Sequence, residues 1–316
     1  STDRCKEVCV WKFMQRQEIS DVKQLMQCLR FDDPRSLVKI HYAIHDLNPL
    51  DYSPEMLQLW LTLDTIFIYE FFRFVCATES ESASEQYSHF RTLCKNDIIT
   101  KQLIRDLFLM GNQIPMSFVM DLIKDFPMKT PNIQNEELNK KLVGVMEEVD
   151  PFFTRNLEDE KSEIPDFCKC SHLLDCLYVW VLRKQATNRF RFDRVSDISW
   201  TEQAADKREE EAQKITISRD RLRTASQLSK AGIRFRAIEG GSISVMHYDK
   251  RKLRLHLPRL VVEHGTEDVF RNLLAHEQTC KDGGEFTMYL TIMDSLIDTA
   301  EDVAVLMKAR VIENHL

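Results

Sequence analysis

A chain of 316 residues with 43% hydrophobic side chains carries enough apolar surface for one large core or two smaller ones. Eight Gly and nine Pro against 29% charged residues exclude a turn-rich sandwich and a disordered chain, and point to helices joined by few breaks. The net charge of −7 excludes a chain that coats nucleic acid along its whole length, because that demands excess Lys and Arg to neutralise phosphate.

The first periodic segment, residues 5 to 30, places Val8, Trp11, Val22, Leu25 and Leu29 at helical spacing before Asp32-Asp33-Pro34 interrupts it. From Glu55 a long helix follows, apolar nearly all round through Leu57, Trp60, Leu61, Ile66, Phe67, Phe71 and Phe72, which predicts an element buried on several sides. Its run Met56 to Val75 contains Asp64, Glu70 and Arg73, three groups too costly for hydrocarbon, so no membrane span is expected there. The Ser- and Glu-rich stretch Thr78 to Ser88 reads as a surface loop. Asn96-Asp97 is placed to cap a helix presenting Leu103, Ile104, Leu107 and Phe108 on one face.

In Gly111-Asn112-Gln113-Ile114-Pro115, Gly suits the left-handed position that ends a helix, and Pro suits the start of the next, Met116 to Phe126. Two helices are expected to meet there at a fixed structural corner. A helix around Glu136 to Glu148 comes next, then a loop around Pro151 and Pro165, and then the stripe Leu173, Leu174, Leu177, Tyr178 and Val181. Residues 187–215 lose apolar periodicity and read as an internal linker or variable insertion.

Thr224-Ala-Ser-Gln227 has the pattern of a capping box, opening a short helix that Gly232 can end. The period then becomes two: Ile233, Phe235 and Ala237, then Ile243 and Val245, then Leu253, Leu255 and Leu257 alternate with polar or cationic residues. The expectation is a small antiparallel sheet over residues 233 to 257, with Gly240-Gly241 at one turn. Helices at about 267 to 278, 286 to 297 and 300 to 310 finish the chain, the last with Thr299 as its N-cap. The fold class expected is thus mainly α, a multi-helix globular domain with a small antiparallel sheet in its C-terminal third.

These segments contain blocks that together resemble the plant domain of unknown function 247 family, also called uncharacterised protein family 0481. They are Leu61-Thr-Leu-Asp64, Gly111-Asn-Gln-Ile-Pro115, His172-Leu-Leu-Asp175, Thr224-Ala-Ser-Gln-Leu228 with Ala231-Gly232-Ile-Arg-Phe235, Phe270-Arg-Asn-Leu-Leu274 with Glu277-Gln278, and Met293-Asp-Ser-Leu-Ile-Asp-Thr-Ala-Glu-Asp-Val303. The resemblance runs from about Ser36 to Leu316 and implies a single family domain over 1–316. The resemblance also implies a domain N-terminally incomplete relative to the family, since members usually open with a Gly-Pro-aromatic-His block and the first glycine here is Gly111. Gly111 also stands where members usually carry Glu. The resemblance implies membrane association on the cytoplasmic side through a C-terminal span that this sequence does not include, so the chain itself is expected to be soluble and cytoplasmic. It supplies no catalytic residue, and the link of some grass members to pollen self-incompatibility implies recognition rather than chemistry.

Cys168, Cys170, His172 and Cys176 put four soft ligands within nine residues, but without a second Cys-x-x-Cys or His-x-x-x-His half they read as core thiols rather than a zinc site. Nine cysteines, an odd number set mainly among apolar residues, read as reduced thiols. His172 and Asp175 at a spacing of three fit a helix-terminal pairing, and with Glu277 they form the alternative, a hydrolase-like set. Asp294, Asp298, Glu301 and Asp302 fit helix starts better than a divalent cation. No phosphate loop or nucleophile elbow is present among the eight glycines, so no cofactor is expected and no small-molecule substrate is identified.

Charge is more informative. Residues 183–259 hold nineteen Lys and Arg against ten Asp and Glu, a local +9 that leaves −16 for the remainder. Arg234, Arg236, Lys252, Arg254 and His256 interleave with the apolar strand positions and are expected to share a cationic face that contacts an acidic protein partner or an anionic membrane surface. The expected function is a non-enzymatic recognition or scaffold module, the alternatives being the hydrolase-like enzyme and a truncated, inactive family member.

Overall fold

The computed structural model describes residues 2–16, 53–75, 77, 82–94, 97–125, 135–152, 164–182, 223–239, 242–280 and 284–316. The segment read as a linker or insertion, 187–215, the Gly240-Gly241 turn and the second half of the first predicted helix lie outside these residues. The chain divides into two compact units, one of Ser1–Asp150, Ile164–Trp180 and Gly265–His276, the other of Pro151–Glu163, Val181–His264 and Glu277–Leu316.

The first unit is helical. Its elements are α1 (Thr2–Arg16), α2 (Pro54–Val75), α3 (Ser88–Leu93), α4 (Asp97–Leu107), α5 (Met116–Asp125), α6 (Asn135–Glu147), α7 (Leu173–Val181) and most of α9 (Thr266–Thr279). The all-round apolar pattern of α2 does place it in the core: Ile66 and Phe71 are fully buried, and α2 packs on α1, α5 and α6. Its buried Thr62 and Thr65 hydroxyls donate to the carbonyls of Gln58 and Leu61 at 2.8 and 2.6 Å, and buried Glu70 pairs with Arg73 at 3.3 Å. These three buried polar groups thus find their partners within the helix itself. Phe90 of α3 sits 5.8, 5.7 and 5.3 Å from the rings of Phe67, Phe71 and Phe74. Burying such a side chain contributes about 1.5–3 kcal/mol. The polar stretch before it, read as a surface loop, ends in a tight helical turn, Glu85–Tyr87, whose Tyr87 is buried against Phe74.

Among the described residues the second unit contains α8 (Ala225–Lys230), α10 (Glu285–Leu296), α11 (Ala300–Lys308) and five short strands. Strand β1 (Arg234–Ile238) pairs with β3 (Arg254–Pro258), β3 pairs with β2 (His247–Asp249), and β4 (Leu260–Val262) pairs with β5 (Ile312–Asn314). The fold class, mainly α with a small sheet, is as the sequence implies, but the sheet is mixed rather than antiparallel. β1 runs parallel to β3, with Arg234 opposite Arg254 and Arg236 opposite His256, and only β2 is antiparallel.

The misreading arises at Ile243–Val245, where alternation suggests a strand and the backbone makes one tight turn. Ser242 Oγ accepts from the Ser244 amide at 3.2 Å, and Ser244 Oγ donates to the Leu182 carbonyl at 2.7 Å. Those side chains give the backbone an alternative to a ladder. The chain then uses His247–Asp249 to return beside β3. Strand β5 escaped the sequence reading because three residues cannot show a period.

Gly232 ends α8 as expected, at φ +93°, with the Ile233 amide bonded to the Leu228 carbonyl and the Gly232 amide to that of Ser229. Gly111 does not. Helix α4 stops at Leu107, Gly111 lies inside a separate turn, Met110–Asn112, and its φ is not positive. What closes this corner is Gln113, whose Nε2 donates to the carbonyls of Leu107 and Leu109 at 3.0 and 2.6 Å.

Candidate functional site

Two blocks far apart in sequence meet in the first unit. Pro115 and His172 form an isolated bridge, and the Met116 amide donates to the Ser171 carbonyl at 2.8 Å. Buried Gln113 also reaches α7, accepting from the Leu174 amide at 2.8 Å. His172 sits at the N-cap of α7 and accepts from the Asp175 amide at Nδ1, 3.1 Å, while Asp175 Oδ2 accepts from the Ser171 amide at 2.7 Å. Orphan amides of the helix start are thus satisfied by His172 and by a glutamine from sixty-one residues away. Within the Gly111–Pro115 block, Gln113 rather than Gly111 does the fastening. Asn112 donates to the Asp106 carbonyl at 2.9 Å, and Ile114 is buried.

His276 completes this cluster and was missed in the sequence. It is buried, its Nε2 lies 3.2 Å from Asp175 Oδ1, and its ring meets those of His172 and Tyr178 edge-on at 5.0 and 5.2 Å. The one available signal was His276 standing beside Glu277 in an otherwise apolar helical stripe. Burial, reinforced by the neighbouring His276, pushes the His172 imidazole down to about 4, with Asp175 opposing. Burial works to raise the Asp175 carboxyl, but hydrogen bonds from His276 and the Ser171 amide outweigh it and hold Asp175 below the usual range. The arrangement is a helix cap with a locked imidazole.

The remaining chemistry-bearing candidates are likewise engaged locally. Buried Glu277 accepts from the Phe286 and Thr287 amides at 2.8 and 2.7 Å and from Thr287 Oγ1 at 2.5 Å, so its carboxylate holds the start of α10. Buried Asp302 accepts from the Ser226 amide at 2.7 Å, the Thr299 amide at 2.9 Å, Thr299 Oγ1 at 2.8 Å and the Asp298 amide at 3.3 Å. Burial opposes its charge, yet the bonds from Ser226 and Thr299 keep the carboxyl well below its ordinary value. One side chain therefore caps both α11 and α8. The capping box predicted within Thr224–Gln227 is replaced by this tertiary cap, with Thr224 Oγ1 turned to Ser226 Oγ at 3.1 Å and Gln227 exposed.

No group of three or more His, Cys, Asp or Glu side chains among the described residues is arranged to hold a metal ion. Cys94, Cys170 and Cys176 are free thiols. A hydrogen bond with Cys170, and then burial, push the Cys176 thiol far up, so it is a poor nucleophile at neutral pH.

Four of the five cations expected on one face do lie together in the second unit. The register sets Arg234 beside Arg254 and Arg236 beside His256, while Phe235, Leu255 and Leu257 on the alternate positions are buried. Arg234, Arg236 and Arg254 make no ion pair among the described residues. Lys252 falls outside β3, in the turn that follows β2, 3.8 Å from Asp249. His247, in a three-residue strand too short to show a period, stacks on His256 at 4.4 Å with the rings 7° from parallel. Burial, His247 and the nearby Arg254 and Arg236 lower the His256 imidazole, opposed by Asp249.

Among the described residues no helix is long and apolar enough to cross a membrane. No solved structure matches the chain. The Arabidopsis thaliana protein named UPF0481 protein At3g02645 is 23% identical over 344 residues, an alignment spanning 88% of this chain and 62% of that protein. A second Arabidopsis thaliana protein, UPF0481 protein At3g47200, is 32% identical over 94 residues, covering 29% of this chain and 20% of its own length. The chain thus spans about three-fifths of the first relative. The family model described as a plant protein of unknown function, domain of unknown function 247, matches residues 1–316 from end to end, and this chain belongs to that plant family.

Proposed function

We propose that this chain is a non-enzymatic recognition or scaffold module that engages an anionic macromolecular surface through the cationic face of its three-stranded sheet. The observation that carries this reading is the parallel register of β1 and β3, which sets Arg234 beside Arg254 and Arg236 beside His256 without an ion pair for the three arginines among the described residues. Neighbouring strands lie about 5 Å apart, so these charges repel one another and a bound anion relieves the repulsion. The hydrolase-like alternative loses support because Glu277 is committed to the start of α10 and His172 to that of α7. A recognition role also agrees with the association of some family members with self-incompatibility, and a face of this sign suits the cytoplasmic side of a membrane.

The test is binding to immobilised polyglutamate by the parent and by the triple charge reversal Arg234→Glu, Arg236→Glu and Arg254→Glu. The parent should bind, with affinity falling as salt rises, and the variant should melt like the parent but elute early. A folded triple variant retained as strongly as the parent refutes the reading.

A further inference from the structure

Resting on the cationic face as the contact surface, we propose that its anionic partner is a lipid bilayer, onto which the turn between β2 and β3, Lys250 to Leu253, settles with Leu253 as its apolar contact. The turn carries three exposed cations, Lys250, Arg251 and Lys252, followed by Leu253, which is 44% exposed. Leu253 holds φ +49°, a conformation in which Gly or Asn sits without strain and a leucine does not.

The turn is fixed at both ends. Asp249 Oδ1 accepts from the Arg251 and Lys252 amides at 3.0 and 3.2 Å, and the Leu253 carbonyl accepts from the Arg234 amide at 2.9 Å. That last bond joins the turn to the end of the sheet face where Arg234 stands beside Arg254. Across residues 234–256 there are six Lys and Arg against two Asp and Glu. Both acids are engaged, Glu239 with Arg259 at 3.8 Å and Asp249 with the turn amides and Lys252.

The shape of this array selects the partner. A single phosphate calls for buried, convergent donors, whereas Arg234, Arg236, Lys250, Arg251 and Lys252 are all exposed and spread over a strand face and a turn tip. An acidic polyanionic segment matches the cations but meets an outward leucine only where it also carries an apolar side chain. A bilayer with anionic headgroups answers both, offering diffuse negative charge above an apolar layer.

The experiment is co-sedimentation of the 316-residue chain with phosphatidylcholine vesicles with and without phosphatidylserine, beside binding to soluble polyglutamate. The parent should bind only the vesicles containing phosphatidylserine. Leu253→Asn, which tolerates the left-handed backbone, should melt no lower than the parent. It should weaken vesicle binding by about three- to nine-fold and leave polyglutamate binding unchanged. Lys250→Gln and Lys252→Gln should each weaken vesicle binding by about five-fold. Vesicle binding by Leu253→Asn equal to that of the parent overturns the proposal. So does a parent that binds polyglutamate but no vesicle, which leaves the cationic face as a site for an acidic protein. A parent that binds neither probe removes this proposal and the recognition reading together.

Discussion

Acid should loosen the first unit through His172, and the size of the effect follows from its cap. In the folded chain its Nδ1 accepts the Asp175 amide, so the neutral ring is required there, and the imidazole is pushed down to about 4. The unfolded value is about 6.5. A group with a depressed folded value contributes stability that is fully present above the unfolded value and is lost as pH falls towards the folded one. Linkage puts the loss between pH 7 and pH 5 at about 1.8 kcal/mol, and screening of a partly exposed ring reduces that to about 1 kcal/mol. The assay is urea unfolding at pH 7, 6 and 5 followed by tryptophan fluorescence, to which Trp11, Trp60 and Trp180 of this unit contribute. His172→Asn keeps a good N-cap without a titrating ring, and should flatten the dependence by about 1 kcal/mol over that interval. Parent and variant losing stability in parallel would refute the assignment of the imidazole as a neutral cap.

Gly111→Ala should change stability by less than about 0.5 kcal/mol, since no atom lies within 4 Å of an added Cβ and its φ is ordinary, whereas Gly232→Ala at φ +93° should cost about 1–2 kcal/mol by thermal melts. Asp302→Ala should destabilise the second unit by about 2–4 kcal/mol in urea, because the amides of Ser226, Thr299 and Asp298 lose their acceptor at once. Polyglutamate binding should tighten from about pH 7.5 to about pH 5.5, where the polymer is still ionised, because a bound anion favours protonated His256 against its neighbours His247, Arg236 and Arg254, with Asp249 already on the side of the proton. The double variant His247→Gln and His256→Gln should remove that tightening, and an unchanged pH profile by titration calorimetry would count against it.

The sequence was most legible where a period ran long enough to count. The all-round apolar run of α2, the stripe of α7 and the final helices needed no more than spacing, and the cationic face followed from alternation in β1 and β3. Where side chains from distant segments decide the backbone, local reading failed. The start of α8 looks self-capped by Thr224 and Gln227, but the acceptor comes from Asp302, seventy-six residues on. Gly111 looks like a helix stop, but the corner is closed by the two-handed amide of Gln113, for which a single sequence gives no sign. His276 and His247 were overlooked for the same reason: a lone histidine acquires meaning only from the ring placed opposite it.

The fastening of these units also bears on how they fold. In the second unit Leu260 pairs with Ile312, and the ring of Phe152 meets that of Tyr289 edge-on at 5.2 Å, while in the first Asp175 waits for His276, one hundred and one residues later. Each such closure loses chain entropy before any contact repays it, and the ladder of β4 and β5 cannot form until Ile312 to Asn314 have joined Leu260 to Val262. Helices α2 and α7 can form early from local contacts, whereas the small ladder is a late event, and a chain emerging from the ribosome carries β4 without a partner until Asn314 is out.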